Sequence, residues 1–239
     1  MTTLASTSGS FVREQLRMPL MLVLLIMIPV FFVLIFADVL GEFAKALGGT
    51  LATQSATSIS AGWAAAFLSG ALAFFQVSSS RGADRRLAAA GLGPARVALA
   101  RITAALALGA VVSAAAFVTL WLRSGIGHPL HALVAIFAFA AIYIGIGALI
   151  GAFVSGQLEG SLLVVLAFLL DAFSGPQMTS SGGAGAFLTP TRDAANLLIA
   201  AGGAHGSPAS DWANVAAVSL GALAVALAAF WFVARTRSV

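Results

Sequence analysis

The chain predicts an all-α integral membrane protein with six transmembrane helices. Three features carry that reading: the composition, six long apolar runs, and an uneven placement of basic residues. Of the 239 residues, 60% are hydrophobic and 8% are charged, and the mean hydropathy is +1.03. A soluble domain carries about 25% charged residues because its surface faces water. At 8% there is too little polar surface to coat a globule of this size, so the outer surface faces lipid.

Composition also excludes. The chain has no cysteine, which removes disulfide frameworks, thiolate metal sites and cysteine nucleophiles. Its net charge of +4 is divided among separate loops and forms no sustained basic face, so a nucleic-acid partner is not expected.

A bilayer core of about 30 Å needs roughly 20 apolar residues of helix. Runs of that kind are 19–37, 58–77, 97–122, 131–154 and 213–234, and a shorter sixth run, 158–173, contains Asp171. Pro29, in the middle of the first span, is expected to kink it. Trp212 and Trp231 bracket the last span, about 28 Å apart along a helix, which suits an aromatic belt at both interfaces. The first run is too long for the core of a secretory signal. Before it, residues 8–18 place Phe11, Val12 and Leu16 at roughly helical spacing beside Arg13, Glu14 and Arg17. That pattern predicts an amphipathic helix lying at the membrane interface.

Orientation follows from the twelve basic residues. Arg13, Arg17, Arg81, Arg85, Arg86, Arg96, Arg101, Arg235 and Arg237 fall on one side of the six-span layout, and Lys45, Arg123 and Arg192 on the other. The positive-inside rule puts the richer side, with both termini, in the cytoplasm of a plasma (inner) membrane.

Five of those arginines lie in one stretch, SSSRGADRRLAAAGLGPARVALARI, residues 78–102. Topology alone explains some basicity in an inward loop. The stretch also reads as structured: 82–90 is helix-competent with Asp84 in its first turn, Gly91 and Gly93 interrupt it, and Pro94 suits the first turn of the next helix. The expectation is a short cytoplasmic helix within a 78–96 loop, with Leu87 and Leu92 among the charges.

Six spans, an amphipathic lead-in and a short charged helix between spans two and three resemble the permeases of ABC-2 type transporters, the type-2 ABC exporters. In that family the corresponding loop runs from charged residues through a Leu-containing helix and a small-residue turn with Pro to a basic approach to the next span. Residues 81–101 follow that order, although the family's commoner acidic opening is replaced here by Ser78-Ser79-Ser80-Arg81. The stretch after the fifth span, SGPQMTSSGGAGAFLTPTRDAANLLIAAGGAHGSPASDW, is a second point of likeness. Thr189 as cap, Pro190 in the first turn and Asp193 near the positive end of the helix dipole predict a helix over 190–201. The family carries partly re-entrant outer helices at this place.

The resemblance implies a single permease domain over 1–239 without its own ATP site, and the sequence contains no GxxxxGK[ST] phosphate loop. ATP and Mg would belong to a separate cytoplasmic ATPase subunit. The helix between spans two and three would be a coupling helix, with Arg81, Asp84, Arg85, Arg86, Leu87 and Leu92 meeting that subunit, and Arg13, Glu14 and Arg17 of the lead-in resting against it. A second copy or a homologous permease would complete the pathway. Phe67, Phe74 and Phe75, on the span that faces the partner permease in the family, are candidate pathway residues. Gln76 and Asp171 join them as the most polar groups near membrane depth, although both sit at span ends, where water is close. Sugar pathways favour Trp and Tyr faces for stacking, and with one Tyr and four Trp, at least two of them interface anchors, a drug-like or lipid-like cargo is expected rather than a polysaccharide; outward transport is implied by the family alone.

Other readings fit less of the chain. An intramembrane serine protease needs a histidine base inside the membrane, and His128, His131 and His205 all fall in or beside outer loops. A metal transporter needs buried ligands, yet only Glu159 and Asp171 approach the membrane, both at span ends. A substrate-capture subunit of an ATPase-driven vitamin importer also has about six helices, but needs no charged helix between spans two and three. A non-transporting membrane scaffold remains the plain alternative.

Overall fold

The computed structural model describes residues 19–46, 53–87, 90–91, 93–154, 156–174, 189–203 and 208–236. Among them there is no strand and there are seven helices: α1 (Pro19–Ala46), α2 (Thr53–Leu87), α3 (Pro94–Ser124), α4 (Pro129–Phe153), α5 (Gln157–Ser174), α6 (Arg192–Gly202) and α7 (Ala209–Thr236). All except α6 are long and apolar enough to cross a membrane. The chain is a multi-pass helical membrane protein in this sense.

Two helices form the centre. The spanning parts of α2 and α4 are 72% and 67% buried, against 28% for those of α1 and α5 and 17% for that of α7. Between apolar helices in lipid there is little hydrophobic gain, so association depends on close packing and interhelical hydrogen bonds. Gly147 of α4 makes that packing possible, because a Cβ there would run into the backbone of Gly70 on α2. Large side chains then fill the space beside this crossing: Phe74, Phe139 and Tyr143 are fully buried.

Helix α2 is the main departure from expectation. The second span was expected over 58–77, followed by a separate short helix, but one continuous helix of 35 residues runs from Thr53 to Leu87. At 1.5 Å per residue it is about 52 Å long, well beyond a hydrocarbon core of about 30 Å. The three serines do not break it. Ser79 Oγ donates to Phe75 O at 2.6 Å, Ser78 Oγ donates to the same carbonyl at 3.4 Å, and Ser80 Oγ donates to Gln76 O. Their hydroxyls are satisfied by the preceding turn, which removes the competition that makes serine a turn residue elsewhere. The short charged helix expected between spans two and three is therefore, in the described residues, the end of α2 and not a helix on its own arm.

The remaining helices lie close to their expected spans and mostly outrun them by a few residues. Helix α1 outruns its span most, reaching Ala46 with Pro29 inside it. Arg123, near the end of α3, fixes α1 by donating to Val33 O at 3.1 Å, Leu34 O at 2.6 Å and Asp38 Oδ1 at 2.8 Å. Helix α6 begins at Arg192, two residues later than expected. The Arg192 N–H is bonded to Thr189 O, while the Thr191 side chain makes no cap bond. Its apolar side, with Ala194, Ala195, Leu197, Leu198 and Ala201, is buried in the main core. The carbonyl of Ala201 accepts the His128 N–H at 3.0 Å, which holds α6 at the end of the bundle where α4 starts.

Candidate functional site

The basic end is the antiparallel pair formed by the close of α2 and the start of α3. Asp84 is 4% exposed and Arg101 is 8% exposed. Arg101 donates to Asp84 Oδ1 through Nε at 3.1 Å and Nη2 at 2.8 Å, and Ser80 Oγ lies 3.3 Å from Oδ2. Arg101 thus holds Oδ1 with two bonds, while the single Ser80 hydroxyl proton near Oδ2 is already directed to Gln76 O. Arg81 reaches a different neighbour: its guanidinium donates to Gly151 O and Val154 O at the C-terminus of α4. Those carbonyls have no donor within their own helix, and a cation at a helix C-terminus also opposes the negative end of its dipole.

Arg81 and Asp84 were expected to meet a partner subunit. Both have partners within the chain, since a charge withdrawn from water needs a counter-charge or carbonyl oxygens close by. Leu87 was expected to fill a partner's pocket, but it packs against Ala100 and Ala104 of α3. What remains outward is basic: Arg86 and Arg96 are both exposed. Between them the chain turns back through Gly91 at φ 101° and Gly93 at φ 76°, backbone angles that glycine adopts without a Cβ penalty. Leu92, the side chain of Arg85, and Arg13, Glu14 and Arg17 lie outside the described residues.

The second group of polar residues lies at the opposite end of the bundle. Asp171, expected near water at a span end, is 5% exposed. Its Oδ2 accepts from Tyr143 Oη of α4 at 2.9 Å and from Thr191 Oγ1, at the start of α6, at 2.8 Å. Its Oδ1 has no hydrogen-bond partner. Thr191, at the start of α6, sits on a carboxylate that a bare span end would leave exposed. One turn earlier on α5, Phe168 is the hub of an aromatic cluster, with ring centroids 5.1 Å from Phe67, 6.2 Å from Phe32, 6.3 Å from Tyr143 and 6.4 Å from Trp63.

The pathway residues named from the sequence separate accordingly. Phe67 belongs to this cluster. Phe74 is fully buried near the α2–α4 crossing, and its ring occupies the space a Cβ on Gly160 of α5 would need. Phe75 is 45% exposed on the outside of the bundle, and Gln76 is buried with its Nε2 unpartnered. Tyr143, Thr191, Trp63 and Phe168 escaped the sequence reading. The one tyrosine of the chain, inside an otherwise apolar span, was an available signal, because a buried phenol needs an acceptor.

Among the described residues, no group of three or more His, Asp or Glu is placed to hold a metal ion. No protein-family model matches the chain, and no curated protein matches it in sequence.

Proposed function

We propose that this chain is the membrane-spanning permease half of an ATP-driven exporter, moving a hydrophobic or amphiphilic, drug-like or lipid-like cargo out of the cytoplasm. ATP and Mg bind a separate cytoplasmic ATPase subunit of ABC type. A second copy or a homologous permease supplies the other half of the pathway. The chain sits in a plasma (inner) membrane with both termini and the α2–α3 turn in the cytoplasm, as its basic residues favour.

The observation that carries this reading is the way the basic turn is braced. Arg86 and Arg96 point outward, while Asp84–Arg101 ties α2 to α3 and Arg81 ties α2 to the end of α4. A turn that only oriented the chain in the bilayer would need its charges and not these internal ties. A braced turn can pass a push at its tip to the two central helices, which a docked ATPase would use. The vitamin-capture and scaffold readings have no comparable observation in their favour.

The test is affinity purification of the tagged chain from its native membrane, followed by an ATP-hydrolysis assay, beside the double variant Arg86→Glu/Arg96→Glu. Reversing two interface charges sets like charges against each other and weakens docking, by our expectation, at least about tenfold. An ATPase should co-purify with the wild type and be lost from the variant, with the amount of inserted chain unchanged. If the variant keeps the ATPase at full activity, or the wild type brings none, the turn is a topology anchor and the transport reading falls.

A further inference from the structure

We propose that Asp171 and the aromatic cluster beside it form a binding site for the charged group of an amphiphilic organic cation, one with an N–H-bearing ammonium on an apolar or aromatic body. The inference rests on the transport reading, for which it names the class of cargo.

Three observations converge on it. First, a carboxyl group within the apolar helix α5 is 5% exposed, and its only donors are neutral: the Tyr143 and Thr191 hydroxyls, both on Oδ2, and the Thr191 backbone N–H. Buried charges are ordinarily paired with cations, yet no ion pair among the described residues includes Asp171. Second, Oδ1 is a buried acceptor with no donor, the atom an ammonium N–H would satisfy. Third, the aromatic hub Phe168 lies on the same face of α5, one turn away, with Phe67, Trp63 and Tyr143 around it. Aromatic faces attract cations and also accept apolar bodies. A carboxylate at one end of an aromatic cluster is matched to a molecule with one positive and one greasy end.

Access follows from the geometry. Thr191 stands at the start of α6, an outer helix of eleven residues. Movement of α6 away from the bundle takes Thr191 off Oδ2, so the carboxylate would gain room and lose a competing donor in one step. The cation replaces that donor. A cargo without the charge lacks this exchange.

The experiment uses the purified chain in nanodiscs of zwitterionic lipid, which carry no net charge to attract cations, with protein-free nanodiscs as the blank. Binding of 4-phenylbutylammonium is measured by calorimetry against its neutral counterpart, 4-phenylbutanol. The wild type should prefer the ammonium by about tenfold or more, and Asp171→Asn should reduce its affinity to about that of the alcohol. Thr191→Val, which keeps the shape and removes the donor, should strengthen ammonium binding. Equal binding of the two compounds by the wild type overturns the proposal and means that the carboxyl holds only a proton; this reading needs no variant to fold. Retention of the preference by Asp171→Asn overturns it as well. No ATPase is involved, so an ATPase that co-purifies with a chain showing no ammonium preference would leave the transport reading standing and remove this one.

Discussion

Asp84 and Asp171 are the same residue in nearly the same degree of burial, 4% and 5% exposed, at opposite ends of one bundle. Asp84 has a guanidinium on one oxygen and a serine hydroxyl near the other. Asp171 has two hydroxyls on one oxygen and nothing on the other. A carboxylate held by a guanidinium through two bonds is a brace, since any movement breaks an ion pair that nothing replaces. One without a cation, and with a bare buried oxygen, retains binding capacity. The difference assigns rigidity to the basic end and adaptability to the end beneath α6.

Four substitutions break or sharpen that contrast. The largest effect belongs to Asp84→Ala, which leaves Arg101 buried without a counter-charge and should cost about 3–5 kcal/mol. Thermal unfolding in detergent reads it, and the apolar pair Asp84→Leu/Arg101→Met should recover most of the loss, since a well-packed apolar pair can replace a buried ion pair. A single variant as stable as wild type would mean that the pair is not buried. Next comes Gly147→Leu, which forces α2 and α4 apart between the two aspartates and should cost about 1–3 kcal/mol or more. It should also abolish any ammonium preference by shifting Tyr143, one turn away on α4.

Arg81→Gln removes the charge at the end of α4 and should cost up to about 2 kcal/mol. Hydrogen exchange should quicken in the last turn of α4 and leave the start of that helix unchanged. Uniform quickening would show that Arg81 does not act locally. The smallest effect is that of Asp171→Asn. An amide is cheaper to bury than a carboxylate, so stability should change by less than about 1 kcal/mol or rise. A loss as large as that of Asp84→Ala would make Asp171 a second brace and erase the contrast.

Much of the molecule was legible before any coordinates. The apolar runs located six helices because a bilayer accepts little except closed, apolar helix, and helix length there is set by membrane thickness. Helix α6 was legible from Thr189, Pro190 and Asp193, within two residues of its observed start. The extent of α2 was not. Residues 78–80 read as a break because serine in isolation favours turns, whereas their hydroxyls bond back onto Phe75 and Gln76. Arg81 and Asp84 read as free charges for a partner because their neighbours, Gly151, Val154 and Arg101, lie 70, 73 and 17 residues away.

The sequence by itself determined class, number of spans and the basic turn, because each depends on local composition set against a fixed membrane thickness. Tertiary structure decided which charges are spent inside the chain and which remain available. Local sequence sets Asp84 among arginines and Asp171 among apolar residues, but it does not say which partner each one meets. What separates them is the arrival of Arg101 at one and of Tyr143 and Thr191 at the other, fixed by how helices cross. That crossing depends on close contacts such as Gly147 against Gly70, made between residues far apart in the chain.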